Sequence, residues 1–151
     1  MEKVTNKILV LNGPNLNMLG LREQEYYGSS SLDDIERSIK EIAEKKGFFV
    51  KFKQSNSEGE LVSWIQESIN NYSGLVINAG AYTHTSIAIH DALKGCDLPI
   101  IEVHLSNIFK RESFRHNSYI SGTAEGLICG FGSESYHLAI IASANLLKGE
   151  D

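Results

Sequence analysis

Lys7-Ile8-Leu9-Val10-Leu11, halted by Asn12-Gly13-Pro14, is the stretch from which the fold can be read. A short apolar run ended by turn formers is the mark of a buried strand. Downstream the period changes. Leu32, Ile35, Ile39 and Ile42 recur at helical spacing, Ser31 and Asp34 have the spacing of a capping box, and Gly47 stops the helix. The same alternation then repeats along the chain. Phe48 to Phe52 reads as a second strand, and Leu61, Trp64, Ile65, Ser68 and Ile69 mark a helix. Leu75 to Ile77 is a third strand, and Thr85 to Lys94 a helix. Pro99 to Leu105 is a fourth strand, with its proline at the tolerated first position. Leu127 to Cys129 is a fifth strand, and Ser133 to Leu147 a closing helix with Leu138, Ile141, Ala142 and Leu146 expected on its buried face.

Strands alternating with helices imply an α/β domain with a parallel sheet. The 151 residues suit one domain, residues 1–151. A closed barrel of this class needs about 250 residues. The expectation is therefore a flavodoxin-like three-layer sandwich around a five-stranded parallel sheet. Two connections, Asn12 to Ser30 and Ser106 to Gly126, exceed the roughly 12 to 15 residues beyond which loops in compact domains are usually functional. Both follow strands, so both belong at the carboxyl edge of the sheet, where such folds bind ligands.

Composition narrows the function. Fourteen Lys and Arg against nineteen Asp and Glu leave a formal charge of −5, which argues against a general nucleic-acid or anionic-membrane binder. Ile8 to Leu11 is too brief for a signal peptide or a membrane span, so a cytoplasmic location is expected. Cys96 and Cys129 have neither redox-pair nor zinc-site spacing and read as reduced thiols. P-loop, dinucleotide-binding, zincin and hydrolase motifs are absent. His84 and His90, six apart, do not make a metal pair.

Four groups of residues carry chemistry. In the first long loop, Arg22 lies near Tyr26 and Tyr27. A guanidinium beside a phenol favours the phenolate, a candidate general base. Glu102 and His104, two apart on a strand, point to the same face, and a carboxylate beside an imidazole suits a general acid. Arg111 and Arg115 would share a face on a helical turn and could hold a carboxylate, or could simply be solvated surface charge. Asn78-Ala-Gly-Ala-Tyr-Thr-His84-Thr-Ser86 follows the third strand and runs into the expected helix N-terminus near Thr85, a natural anion site. Together they describe an anion-binding, acid–base pocket without a cofactor. A flavodoxin-like binding protein for a small carboxylate or FMN is the alternative.

These four motifs, Asn12 to Gly28, Asn78 to Ser86, Glu102-Val-His104-Leu-Ser106-Asn107 and Arg111-Glu-Ser-Phe-Arg115, resemble those of the type II 3-dehydroquinate dehydratases, in order through the whole chain. The resemblance implies a cofactor-free and metal-free hydro-lyase of the shikimate pathway, in aromatic amino acid biosynthesis. It would convert 3-dehydroquinate to 3-dehydroshikimate by anti elimination through an enolate. Position by position, Tyr27 resembles the base and Arg22 the residue that activates it. Asn15 falls where the family holds a water, and His104 resembles the acid, with Glu102 as its partner. Asn78 and the amides around Leu105 and Ser106 would bind the substrate carboxylate. His84, Ser106 and Arg115 would bind ring hydroxyls, and Arg111 would support the lid. Asp91 would reach a neighbour's site, in a homododecamer built from trimers. Gln24 replaces a usual proline and Phe109 a frequent histidine. Tyr26 adjoins Tyr27, and the Tyr-Gly pairing favours Tyr27.

Overall fold

The apolar run at residues 7–11 is the hub of the sheet. In the computed structural model, which describes residues 6–21, 23–27 and 29–149, it forms β1 (Lys7–Asn12). β1 is flanked on one side by β2 (Phe49–Gln54) and on the other by β3 (Gly74–Asn78). Beyond β3 come β4 (Ile100–His104) and β5 (Gly126–Cys129). All pairings are parallel and the strand order is β2-β1-β3-β4-β5, the flavodoxin-like order expected from the sequence.

A continuous apolar strand can serve two cores because successive side chains point to opposite faces. Ile8 and Val10 face α2 (Leu32–Lys45) and α5 (Glu134–Lys148), where Ile35, Ile39, Tyr136, Ala139 and Ile140 fill one layer. Leu9 and Leu11 face α3 (Glu58–Ser68) and α4 (Ile87–Cys96), against Leu61, Ile65, Ile89 and Leu93. Burying one such side chain contributes about 1.5–3 kcal/mol, so both layers of the sandwich have a substantial apolar drive.

The capping box forms. Ser31 Oγ accepts from the Asp34 amide at 3.1 Å, and Asp34 accepts from the Ser31 amide at 3.1 Å. The buried face of α5 differs from the one the sequence suggested. Leu138 and Leu146 are exposed, while Tyr136, Ala139, Ile140, Ser143 and Ala144 are buried. This helix is apolar nearly all round, so periodicity could not choose its face. Small residues let it approach the sheet, and the one large polar-tipped ring finds partners inside. Across the helical layer, Ser38 Oγ bonds His137 Nε2 at 2.8 Å and joins α2 to α5.

Where β1 and β3 end side by side, Asn12 opposite Asn78, the chain passes through a tight crossing. The Gly13 amide donates to the Asn78 carbonyl at 2.7 Å. A Cβ on Gly13 would lie 2.3 Å from the Ala79 carbonyl oxygen, so only glycine fits there. This crossing aims both following loops at one point above the carboxyl edge.

Candidate active site

At that edge a cleft of about 620 Å³, counting its open mouth, is lined from three strand ends. Pro14 to Leu16 line it after β1, Asn78 to His84 after β3, and His104 to Arg115 after β4. Tyr27 comes from a one-turn helix, α1 (Gln24–Tyr27), in the first long loop.

Glu102 and His104 meet as their period-two spacing required. His104 Nε2 lies 2.6 Å from Glu102 Oε2, and both side chains are buried. Glu102 also accepts the Ser118 hydroxyl at 2.9 Å on Oε2 and the Ser121 hydroxyl on Oε1. Burial pushes the Glu102 carboxyl up, but the bond to and charge of His104, with the hydroxyls of Ser121 and Ser118, outweigh it. The carboxyl is held below its ordinary value. An anion is therefore maintained behind the imidazole, and Nδ1 is the ring nitrogen left to a cleft occupant.

His84 lies over His104, ring centroids 6.4 Å apart and planes 19° apart. Burial pulls the His84 imidazole down. The Asn117 carbonyl pulls it up, the positive neighbours His104 and Arg115 pull it down, and Glu102 pulls it up. The net shift is downward, so His84 is neutral at pH 7. Its Nδ1 lies 2.9 Å from the Asn117 carbonyl and donates to it. A neutral ring that donates through Nδ1 must accept through Nε2, which suits a hydroxyl donor in the cleft.

The phenol of Tyr27 is contacted by a guanidinium. Arg111 Nη1 donates to Tyr27 Oη at 2.8 Å and reaches Ser106 Oγ at 3.4 Å. The Arg111 side chain is 7% exposed and stacks at 4.5 Å on the Tyr26 ring. Arg22, expected in this role, lies outside the described residues. Tyr26 does not line the cleft and Tyr27 does. Arg115 lines the cleft too and is tethered to Glu112 at 3.0 Å.

Asn15 lines the cleft and is exposed, in the left-handed conformation, φ 70°, its amide donating to Asn56 Oδ1 at 3.0 Å. Asn78 lines the cleft while its Nδ2 donates to Tyr136 Oη at 2.9 Å and its Oδ1 accepts the Gly80 amide at 3.1 Å. Tyr136 Oη in turn donates to Asn12 Oδ1 at 2.6 Å. Leu105 and Ser106 follow His104 along the wall. Helix α4 starts later than expected, with Ser86 as its N-cap taking the Ile89 amide. The lining after β3 is the 3₁₀ turn Gly80–His84, not the first turn of α4. Asp91, on α4, is exposed and does not line this cleft.

Sequence reading missed Asn117, Ser118, Ser121 and Tyr136. The first three lie in a loop whose partners are 16 to 33 residues away. Only the excess length of that loop signalled a role.

Comparison with known proteins agrees with this architecture. The family described as "Dehydroquinase class II" matches residues 6–144. The 3-dehydroquinate dehydratase of Prochlorococcus marinus is 53% identical over 141 residues, 93% of this chain and 97% of that protein. That of a Nitratiruptor species is 55% identical over 142 residues, 94% of this chain and 91% of that protein. The crystal structure of the type II dehydroquinase from Propionibacterium acnes superposes with a TM-score of 0.89 at 41% identity, covering 95% of this chain and 99% of that one. With a matching profile over nearly its whole length and relatives above 50% identity, the chain belongs to the class II dehydroquinase family.

Proposed function

We propose that this chain is a 3-dehydroquinate dehydratase, a hydro-lyase removing water from 3-dehydroquinate to give 3-dehydroshikimate. The observation that carries the reading is two devices lining one cleft. One is a phenol under a buried guanidinium, and the other an imidazole backed by a buried carboxylate.

In this reading Tyr27, as the phenolate, takes the proton at C2. The positive Arg111 donates to the same oxygen and steadies negative charge there, and Arg22 assists. The electron pair moves into an enolate, near which Asn15 orients a water. His104, carrying protons on both ring nitrogens, gives one to the leaving hydroxyl, which departs as water. Glu102 stabilises the imidazolium and fixes its ring. Asn78 and the amides around Leu105 and Ser106 hold the carboxylate. His84, accepting through Nε2, holds ring hydroxyls together with Ser106 and Arg115. No metal or cofactor is invoked.

The exposed position of Asp91 outside its own cleft supports a role in a neighbour's site. We place the chain in a homododecamer built from trimers, in the cytoplasm, within aromatic amino acid biosynthesis. No helix of the described residues is long and apolar enough to cross a membrane.

The test is ultraviolet absorbance. The purified chain should turn dehydroquinate into a conjugated enone, and Tyr27→Phe should abolish turnover while keeping the fold and ligand binding. A chain that binds the compound without enone formation overturns the reading, and near-normal turnover by the phenylalanine variant removes Tyr27 as the base.

A further inference from the structure

The buried carboxylate of Glu102 does not line the cleft, yet it decides how His104 presents itself. A carboxylate has about four lone-pair sites. With His104 alone on Oε2, Oε1 would be an unmatched buried acceptor, and nothing else described would define the plane of the carboxylate. Two hydroxyls from the loop after β4 supply what is missing. Ser121 donates to Oε1, and Ser118 donates to Oε2 at 2.9 Å beside His104.

The turn that carries them is itself fixed. Ser118 Oγ accepts the amides of Ile120 and Ser121, each at 3.1 Å. Ile120 is wholly buried, and its carbonyl accepts the Thr123 hydroxyl at 2.7 Å. One residue before the turn, the Asn117 carbonyl takes the Nδ1 proton of His84, the ring stacked on His104. A five-residue segment thus sets both cleft imidazoles from behind, and neither serine borders the cleft.

We propose that Ser121, assisted by Ser118, is a positioning residue for the acid step: its hydroxyl orients the Glu102 carboxylate, which in turn orients the His104 ring. The proposal rests on the dehydration reading above. Its rival is a purely structural role, in which the hydroxyls merely satisfy a buried charge. The two differ in what they do to kcat.

The experiment compares the full chain with Ser121→Ala and Ser121→Thr. Losing a donor to a charged acceptor should lower kcat about tenfold or more, with KM for dehydroquinate within about twofold because the serine does not border the cleft. The threonine variant, which keeps the hydroxyl, should recover most of the rate. In the same samples, the ¹⁵N resonances of the His104 ring should move in the alanine variant and return in the threonine variant. Wild-type kcat in Ser121→Ala, or unmoved His104 resonances, overturns the proposal, whatever happens to the melting temperature. If the alanine variant does not fold, Ser121→Cys substitutes a weaker donor. A reduced kcat with moved resonances then supports the proposal, and wild-type values overturn it. If even the unmodified chain fails to convert dehydroquinate, the reaction assignment falls, while the His104 resonances still decide the Ser121 linkage.

Discussion

Replacing Glu102 with glutamine removes one charge and leaves the shape. The amide oxygen can stay on the side of His104 and Ser118, where two donors converge, and the new NH₂ can face Ser121, whose hydroxyl can rotate to accept. The variant should therefore fold. Its deficit follows from the His104 bond, 2.6 Å long and buried. A hydrogen bond to a charged group contributes about 1.5–3 kcal/mol, against about 0.5–1.5 kcal/mol for a neutral one, a difference of about 1–1.5 kcal/mol. Coulomb attraction of an imidazolium and a carboxylate about 4 Å apart near a protein surface reaches about 4 kcal/mol as an upper figure. A loss of about 2–3 kcal/mol lies between these, and at about 1.4 kcal/mol per decade kcat should fall roughly 30- to 150-fold. KM should stay within about threefold, because Glu102 does not border the cleft. Steady-state enone formation under saturating dehydroquinate measures both. A second signature lies in stability. The folded carboxyl is held below its ordinary value, so its contribution is complete above the unfolded value of about 4.3 and is lost as pH falls through the folded one. Urea unfolding across that acid range should show this component in the wild type and not in Glu102→Gln. A kcat within twofold of wild type, or a deficit carried wholly by KM, would refute the assignment of Glu102 to the acid step.

Two other outcomes are expected. Tyr136→Phe leaves Asn12 Oδ1 without its donor and Asn78 Nδ2 without its acceptor inside the protein, so urea titration should show about 1–3 kcal/mol less stability. His84 is held below its ordinary value by burial; the stability this contributes is present above about pH 6.5 and is lost as pH falls through the folded value. The wild type should thus lose more stability between pH 7.5 and 5.5 than His84→Gln, and equal losses would contradict a neutral buried His84.

Legibility in the sequence followed the range of the interactions. Glu102 and His104 could be paired because a strand repeats every two residues, and the bond between them is local. The capping box at Ser31 and Asp34 is equally readable, its partners being three positions apart. The strand order followed from five short apolar runs alternating with helices. The buried face of α5 is not legible in its periodicity because its residues are apolar on most sides, and Tyr136 on the buried face reaches Asn12, 124 residues away. Asn12 itself looked like a turn former and proved to be a buried donor and acceptor. Ser118 and Ser121 are polar residues in a polar loop; nothing local distinguishes a serine aimed at a buried carboxylate from one aimed at water. The resemblance implies a supporting role for Arg111, but no local pattern signals that its guanidinium donates to the Tyr27 phenol from 84 residues away.

The one-turn helix that delivers Tyr27 contains no buried residue, whereas β4, which delivers Glu102 and His104, is buried throughout. Local opening is easiest where few groups are buried. Amides of residues 24–27 should therefore exchange with solvent far sooner than those of β4. In the proposed reaction the two halves then differ in their waiting state: the group assigned as proton donor sits on a strand buried along its whole length, and the group assigned as base on a turn that opens more readily. A tight inhibitor of this fold should accordingly gain most from groups that fasten Tyr27 and Arg111 together, since the buried strand that carries Glu102 and His104 offers little further ordering to reward.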